Sequence, residues 1–330
     1  MAQTVAVTGG GGYVATELIH QLLAKGFNVR ATVRSKADAA KVAHLTCLAT
    51  ALPGSVELVE ADLLVEGAFD AAFAGCRYVF HTASPFFIEA GDPQAQLVDP
   101  AVKGTRNVMQ AVARNKADVR RIVLTSSCAA IKGNANAAAP KVGSTYSEAD
   151  WNETSTLPAE AYWCSKVQAE RAAWELAEQH GLDLVTILPE FIMGPVISRR
   201  SDATSFGYMK AWLEGTAQNF APVFADVRDV ARAHILAAEN PAASGRYIVA
   251  TTHSTSPSTI SSWLQERFPE YALADGEEME CTEIINNSRV QGELGLSITP
   301  VKETIVDMAA TLVQLDLAQP KPKGPEPGKQ

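Results

Sequence analysis

An α/β fold, a doubly wound parallel sheet followed by a smaller C-terminal lobe, is the architecture the sequence predicts. Three observations predict it. Short apolar runs alternate with amphipathic stretches from residue 4 to about 190, the order that parallel βαβ units impose. The runs are β-branched and apolar almost throughout, as strands covered on both faces must be. At 330 residues and 47% hydrophobic, the chain can bury one large core or two modest ones.

In chain order, TVAVTG at 4–9 reads as the first strand and GYVATELIHQLLAKG at 12–26 as the helix it feeds. NVRATVR at 28–34 and KADAAKVAHLTCLAT at 36–50 repeat the unit. Further strands are predicted at 56–61 (VELVEA), 77–83 (RYVFHTA), 121–127 (RIVLTSS) and 182–189 (LDLVTILP). Helical patterns fall at 98–114 and 158–180, the second stopping at Gly181, a residue suited to a helix C-terminus. After about 190 the pattern breaks into shorter pieces with scattered Pro, Gly and Ser. The predicted division is therefore 1–190 as a nucleotide-binding domain carrying the reactive groups and 191–317 mainly as a substrate-binding lobe, with some return to the first domain near 222–250. The last stretch, AQPKPKGPEPGKQ at 318–330, has almost no apolar residue to offset ordering entropy and is predicted to be a disordered tail.

Composition removes several function classes. A net charge of −9 with no basic stripe opposes binding to nucleic acid or anionic lipid. Cys47, Cys76, Cys128, Cys164 and Cys281 are scattered without CxxC spacing and odd in number, which fits reduced thiols. The six histidines show no ligand clustering, so no metal is expected. No run of about 18 apolar residues could span a membrane. Val5–Val7 is too short for a leader's apolar core, and a cytoplasmic protein, monomer or homodimer, is expected.

The first chemical signal is Thr8-Gly9-Gly10-Gly11-Gly12-Tyr13-Val14-Ala15, placed after a strand and before a helix. In the spacing TGxxGxxA, Gly9 permits a tight turn and Gly12 lets the backbone approach a pyrophosphate. The helix N-terminus adds N–H groups and partial positive charge, so a dinucleotide is the predicted ligand and the sheet is of Rossmann type. An NAD site would place an acid at the end of the second strand. Here that strand ends Val33-Arg34-Ser35-Lys36, and Arg34 with Lys36 or Lys41 offers cations for a 2′-phosphate, favouring NADP(H), unless Arg34 is only a solvated surface residue.

The second signal is Tyr162 and Lys166, four residues apart and on one face of the predicted helix. A free tyrosine titrates near pH 10, about three units too high for easy exchange at neutrality. An ammonium one turn away favours phenolate and makes the phenol a usable general acid. With seven tyrosines the spacing could arise by chance. Position separates it from chance: it follows RIVLTSS and precedes another strand, which brings the strand-end serines and this helix to one sheet edge.

With these residues in place the chain resembles an extended short-chain dehydrogenase/reductase, within the branch of dihydroflavonol reductases, cinnamoyl-CoA reductases and microbial aldehyde and ketone reductases. The resemblance spans roughly residues 4–240 and rests on TGGGGYVA, VRATVRS, ADL at 61–63, VFHTASP at 79–85, VKGTRNV at 102–108, VLTSS, YWCSK, LPEFIMGP and VRDVARAHI at 227–235. It implies an NADPH-dependent reductase of a ketone or aldehyde carbonyl. In that family pattern Ser127 polarises the carbonyl, Tyr162 protonates its oxygen, and Lys166 holds the nicotinamide ribose. Ser127 is preferred to Ser126 because it precedes the small-residue turn Cys128-Ala129, and because neighbouring side chains on a strand point to opposite faces.

The resemblance also places Gly9, Gly12, Tyr13, Val14, Arg34, Lys41, Asp62, Leu63, Thr82, Ala83, Ser84 and Pro189 around the cofactor. Asp62 could instead cap a helix, and Asn107 is either a fourth polar site residue or a backbone bridge. His81 and His234 read as satisfied polar residues near the core, and Trp163 and Trp174 as packing residues. The expected pocket walls are Pro85–Glu89, 131–146, Glu190–Ile192 and 198–213, with Phe86, Phe87, Phe191, Phe206 and Tyr208 giving an apolar lining suited to an aromatic or hydrophobic carbonyl substrate. Glu190 either selects a substrate donor or points to solvent. The run Glu160–Lys166 differs from the Asn-Trp-Tyr-Cys-Tyr-Gly-Lys segment of plant cinnamoyl-CoA reductases, and the Ala-rich stretch after Ser127 from dihydroflavonol reductases, which leaves the substrate open. Alternative readings are a nucleotide-sugar epimerase or dehydratase with the same Ser, Tyr and Lys, and a noncatalytic NADP-sensing protein.

Overall fold

The computed structural model describes residues 2–85, 91–133, 145–199, 203–281 and 283–324. In chain order the elements are β1 (Thr4–Thr8), α1 (Tyr13–Ala24), β2 (Asn28–Val33), α2 (Ala39–Ala51), β3 (Ser55–Glu60), α3 (Asp70–Phe73), β4 (Tyr78–His81), α4 (Asp99–Arg114), β5 (Arg121–Thr125), β6 (Thr145–Tyr146) and α5 (Ala161–His180). There follow β7 (Leu184–Pro189), β8 (Phe191–Met193), α6 (Thr204–Leu213), β9 (Phe224–Asp226), α7 (Val227–Glu239), β10 (Gly245–Val249), α8 (Pro257–Arg267), β11 (Ile284–Ile285), α9 (Ser288–Leu294) and α10 (Val301–Gln314).

Seven strands form one parallel sheet in the order β3-β2-β1-β4-β5-β7-β10. Register is set by pairs such as Val5↔Val29, Val7↔Phe80, Val79↔Ile122 and Val123↔Val185. The chain leaves β1 toward β2 on one side and returns through β4 on the other, so a crevice opens above the ends of these two strands. One face is covered by α1, α2 and α7, with Leu18, Ile19, Leu22 and Ala233 against Val5, Val7 and Tyr247. The opposite face is covered by α3, α4 and α5, where Val108, Met109, Ala173 and Leu176 meet Ala6, Val79 and Ile122. Both cores are apolar, aliphatic with a few aromatic rings, as a sheet enclosed by helices requires.

A third core builds the lobe after β7. Trp212, Met209 and Leu213 of α6 pack with Phe224, with Ile260 and Leu264 of α8, and with Ile305 and Met308 of α10. Between these pieces the chain re-enters the first unit, since β10 pairs with β7 and α7 packs in the core of α1. Two-stranded parallel pairs β8–β9 and β6–β11 tie the lobe to the sheet's end.

Several sequence expectations shift. The predicted strands 77–83 and 121–127 stop at His81 and Thr125 because the following residues turn to make side-chain contacts at the sheet edge. The irregular reading after 190 misses the five helices α6 to α10; in α6, α8 and α10 the apolar stripe is interrupted by Ser or Thr. The disordered tail does not hold for residues 318–323. Ala318 is buried, the Ala272 N–H donates to the Lys321 carbonyl and the Lys323 N–H to the Glu270 carbonyl. Backbone pairing orders this piece where side chains could not, while 325–330 lie outside the described residues.

Candidate active site

The site assembles where β1, β4, β5 and β7 end. Leaving β1, Gly9 adopts φ +66°, and a Cβ there would stand 3.0 Å from the Ala83 backbone. The positive φ and the crowding both demand glycine. Gly10 is equally constrained from the other side, its Cβ position lying 2.8 Å from that of Ala31. Sequence reasoning did not single out Gly10, because spacing rules address the ligand and not the neighbouring strand. Gly12 caps α1 without a side chain, so Tyr13, Val14 and Ala15 present a bare helix N-terminus. This turn suits a pyrophosphate: it ends in a helix N-terminus of partial positive charge, and a Cβ at Gly9 or Gly10 would collide with Ala83 or Ala31 and displace it.

Tyr13 does more than border the turn. Its hydroxyl donates to the Gly194 carbonyl at 2.7 Å and its ring meets Phe206 edge-on at 4.9 Å, which joins the phosphate turn to the lobe. Burial, with Asp226 nearby, pushes its phenol well above the ordinary range.

The segment after β4 lies across the glycine turn. Thr8 Oγ1 bonds His81 Nδ1 at 2.8 Å and accepts the Ala83 N–H at 3.1 Å, while Thr82 Oγ1 donates to the Thr8 carbonyl at 2.6 Å. His81 is held neutral: burial, then the Lys166 ammonium, drive it down to about 3. Ser84 Oγ accepts from Lys166 Nζ at 3.2 Å, and that ammonium stands 5.5 Å from the centre of the Tyr162 ring. The glycine turn, residues 82–84 and the Tyr162–Lys166 pair thus form one continuous run of contacts.

Ser127 comes from the next strand end. It is half-buried, and its Oγ accepts the Ala129 N–H at 3.1 Å as the cap of a short 3₁₀ turn at Cys128–Ala130. Ser126 points away from it, donating to Glu170 at 2.6 Å inside the protein. Only Ser127 is available at the sheet edge. Cys128, bonded through Sγ to the Leu188 carbonyl at 3.3 Å, has its thiol pushed up by burial. Pro189 ends the neighbouring β7.

At the end of the second strand, Arg34 is exposed just past β2. Lys41 is turned to Asp38 at 3.0 Å, whereas Arg34 makes no ion pair with a described residue. Asp62 does not cap a helix. Its Oδ1 accepts the Leu64 N–H at 2.8 Å within a turn. Leu63 sits against Gly104, where a Cβ would be 2.4 Å from its Cγ, and Asn107 Nδ2 donates to the Leu63 carbonyl at 3.0 Å. Asn107 therefore bonds backbone directly and anchors this turn.

The expected substrate residues separate. Phe86 and Phe87 lie outside the described residues. Phe191 is half-buried and packs edge-on against Tyr208 at 5.2 Å. Phe206 and Tyr208 are buried in the lobe's core, because α6 turns its apolar face inward, and they do not form an open wall. Glu190 does not point to solvent: it pairs with Lys132 at 2.9 Å, and Lys132 also pairs with Glu283. Lys132, five residues after Ser127, escaped sequence reasoning because the lysine's two partners are distant in the chain. Among the described residues no cluster of His, Cys, Asp and Glu could hold a metal ion, and no helix is long and apolar enough to cross a membrane.

The model of the NAD dependent epimerase/dehydratase family matches residues 5–250. A cinnamoyl-CoA reductase of Medicago truncatula is 37% identical, over 96% of this chain and 98% of its own. The crystal structure of the yeast methylglyoxal/isovaleraldehyde reductase Gre2 complexed with NADPH superposes with a TM-score of 0.82 at 27% identity, covering 95% of this chain and 99% of that one. Vestitone reductase from alfalfa gives 0.77 at 27%, covering 94% and 98%. By the extent of that match and the relatives it brings, the chain belongs to the NAD dependent epimerase/dehydratase family, in its extended short-chain dehydrogenase/reductase form.

Proposed function

We propose that the protein is an NADPH-dependent reductase that converts a ketone or aldehyde carbonyl to an alcohol, acting on an aromatic or hydrophobic small molecule. The observation that carries this reading is the run of contacts Thr8–Ala83, Ser84–Lys166 and Lys166–Tyr162, which sets the glycine turn beside an acid and a cation. Its relatives support it: a cinnamoyl-CoA reductase, and an aldehyde reductase whose structure is an NADPH complex.

In this reading Gly9, Gly12, Tyr13 and Val14 carry the pyrophosphate on backbone N–H groups, Arg34 meets the 2′-phosphate, and Asp62 and Leu63 border the adenine. Thr82, Ala83, Ser84 and Pro189 shape the nicotinamide side. When bound, NADPH supplies the hydride. Ser127 donates a hydrogen bond to the carbonyl oxygen, and Tyr162 transfers its phenolic proton to the same oxygen as charge develops there. Lys166 holds the ribose hydroxyls and steadies the phenolate left on Tyr162. Residues 1–190 with the return at 222–250 form the cofactor domain, and 191–317 otherwise serve the substrate. Scattered cysteines without CxxC spacing favour a reducing, cytoplasmic setting.

The test is NADPH oxidation with a panel of aromatic aldehydes, diketones, dihydroflavonols and hydroxycinnamoyl-CoA esters. Turnover on at least one class is expected. Tight NADPH binding with no turnover on any of them would overturn the reductase reading and favour a sensor.

A further inference from the structure

Behind the catalytic edge lies a buried charge pair that the reductase reading does not use. Glu170 is wholly buried and Arg246 nearly so, joined at 2.8 Å from Nε to Oε1. Five donors converge on this one carboxylate. Oε1 accepts from Arg246 Nε, from Thr186 Oγ1 at 3.0 Å and from Trp174 Nε1 at 3.2 Å. Oε2 accepts from Ser126 Oγ at 2.6 Å and from Arg246 Nη2 at 3.2 Å. Arg246 continues outward, donating to the carbonyls of Glu148 and Asp150 and lying 4.0 Å from the centre of the Trp151 ring.

The placement of these partners is informative. Glu170 stands one helical turn from Lys166 and two from Tyr162 on α5, so it fixes the rotation and height of the helix that carries both. Ser126 is the residue immediately before Ser127 and faces the opposite side of the strand end. A tether on Ser126 therefore sets the direction in which Ser127 points. Thr186 and Arg246 belong to β7 and β10, which complete the same frame. Burying an ion pair is a poor way to gain stability, because desolvation consumes much of the attraction. What the pair does supply is a fixed polar anchor between α5 and the end of β5, beside their apolar packing.

We propose that Glu170, held by Arg246, is a positioning residue of the active site, fixing Ser127 relative to Tyr162 and Lys166 through Ser126 and α5. The inference rests on the catalytic roles proposed above. A displacement of about 1 Å in a reacting group costs on the order of a hundredfold in rate, so loosening this clamp lowers kcat while the cofactor cradle on β1 is untouched.

Two variants test it in the full-length protein with NADPH and the best substrate of the panel. Ser126→Ala deletes one tether and leaves the ion pair. It is expected to fold with a melting temperature near that of the parent, lower kcat about tenfold, and leave the Kd for NADPH and the KM for substrate within twofold. The double change Glu170→Met with Arg246→Met replaces the pair by apolar volume, which buried pairs often tolerate without loss of stability. It is expected to lower kcat about a hundredfold and to weaken NADPH binding far less, because only the Lys166 contact to the ribose shifts while the β1 turn stays in place. If Ser126→Ala folds and keeps kcat within twofold, the positioning role is wrong, whether or not the double variant folds. A fall in NADPH affinity equal to the fall in kcat would also overturn it, since that reports a general loosening of the fold. Ser127→Ala separates this failure from failure of the site itself: near-normal turnover in Ser127→Ala sinks the catalytic assignment, whereas its loss with normal Ser126→Ala sinks only the clamp.

Discussion

At Tyr162 the expected chemistry is separable from binding. The ring is half-buried, with the Lys166 ammonium 5.5 Å from its centre and Trp163 meeting it edge-on at 5.6 Å, so Tyr162→Phe keeps shape and packing while removing the proton. We expect kcat to fall at least about a hundredfold, the usual worth of a positioned acid, with NADPH affinity held within a few-fold. Fluorescence titration with NADPH alongside steady-state kinetics checks both, and near-normal turnover would mean the proton comes from elsewhere. Arg34 carries a different expectation. It is exposed past β2 and makes no ion pair with a described residue, so its loss costs the fold little. Arg34→Ala should raise KM for NADPH tenfold or more while leaving KM for NADH unchanged, because only NADPH bears the 2′-phosphate. An unchanged ratio of the two constants would remove Arg34 from the cofactor site.

At the scale of elements, the β1–α1 turn is the place where backbone conformation and ligand geometry coincide. Gly9→Ala would force a residue with Cβ into φ +66° and against Ala83, a strain of about 1–2 kcal/mol before the contact is counted. We expect a melting temperature lower by several degrees and NADPH affinity reduced by more than tenfold, read by thermal unfolding and titration; normal affinity would show that the turn does not cradle phosphate. This turn was legible in the sequence because its demands are local: a strand, a positive φ and a helix start within a dozen residues. The same holds for α5, whose Tyr162 and Lys166 share a face by helical period alone. What the sequence concealed depends on partners far along the chain. Glu170 reads as an ordinary helix glutamate until Arg246 and Ser126 are brought to it, and Lys132 reads as a loop cation until Glu190 and Glu283 enclose it. The helices of the lobe were hidden for another reason. Their inner faces mix Ser, Thr and Tyr with apolar residues, so α6 presents no clean stripe although Phe206, Tyr208 and Trp212 are all buried.

Across the whole molecule, two histidines make stability depend on pH. His81 and His234 are fully buried on opposite sides of β4 and β5, and burial holds them at about 3 and about 4 respectively. For His234 the tautomer follows from its neighbours: Nδ1 donates to the Val230 carbonyl at 2.7 Å, which leaves Nε2 to accept from Thr125 Oγ1 at 2.7 Å. Both pKa values are depressed relative to about 6.5 in the unfolded chain. Below pH 6.5 the unfolded state therefore binds more protons than the native state, and stability that is fully present above pH 6.5 is lost as pH falls toward 4. At about 1.4 kcal/mol per pH unit for each ring, the pair should cost on the order of 4 kcal/mol between pH 7 and pH 5. Glu17 and Asp229, whose carboxyls burial pushes up, act with the opposite sign and blunt the loss only once they begin to protonate. Urea unfolding at pH 7.5, 6 and 5 measures the slope. His234→Gln, which can still donate to Val230 and accept from Thr125, should roughly halve it. A stability that stays level from pH 7.5 to 5 would mean that these rings take up protons without unfolding the sheet, and that the core around β4 and β5 is wetter than its packing implies.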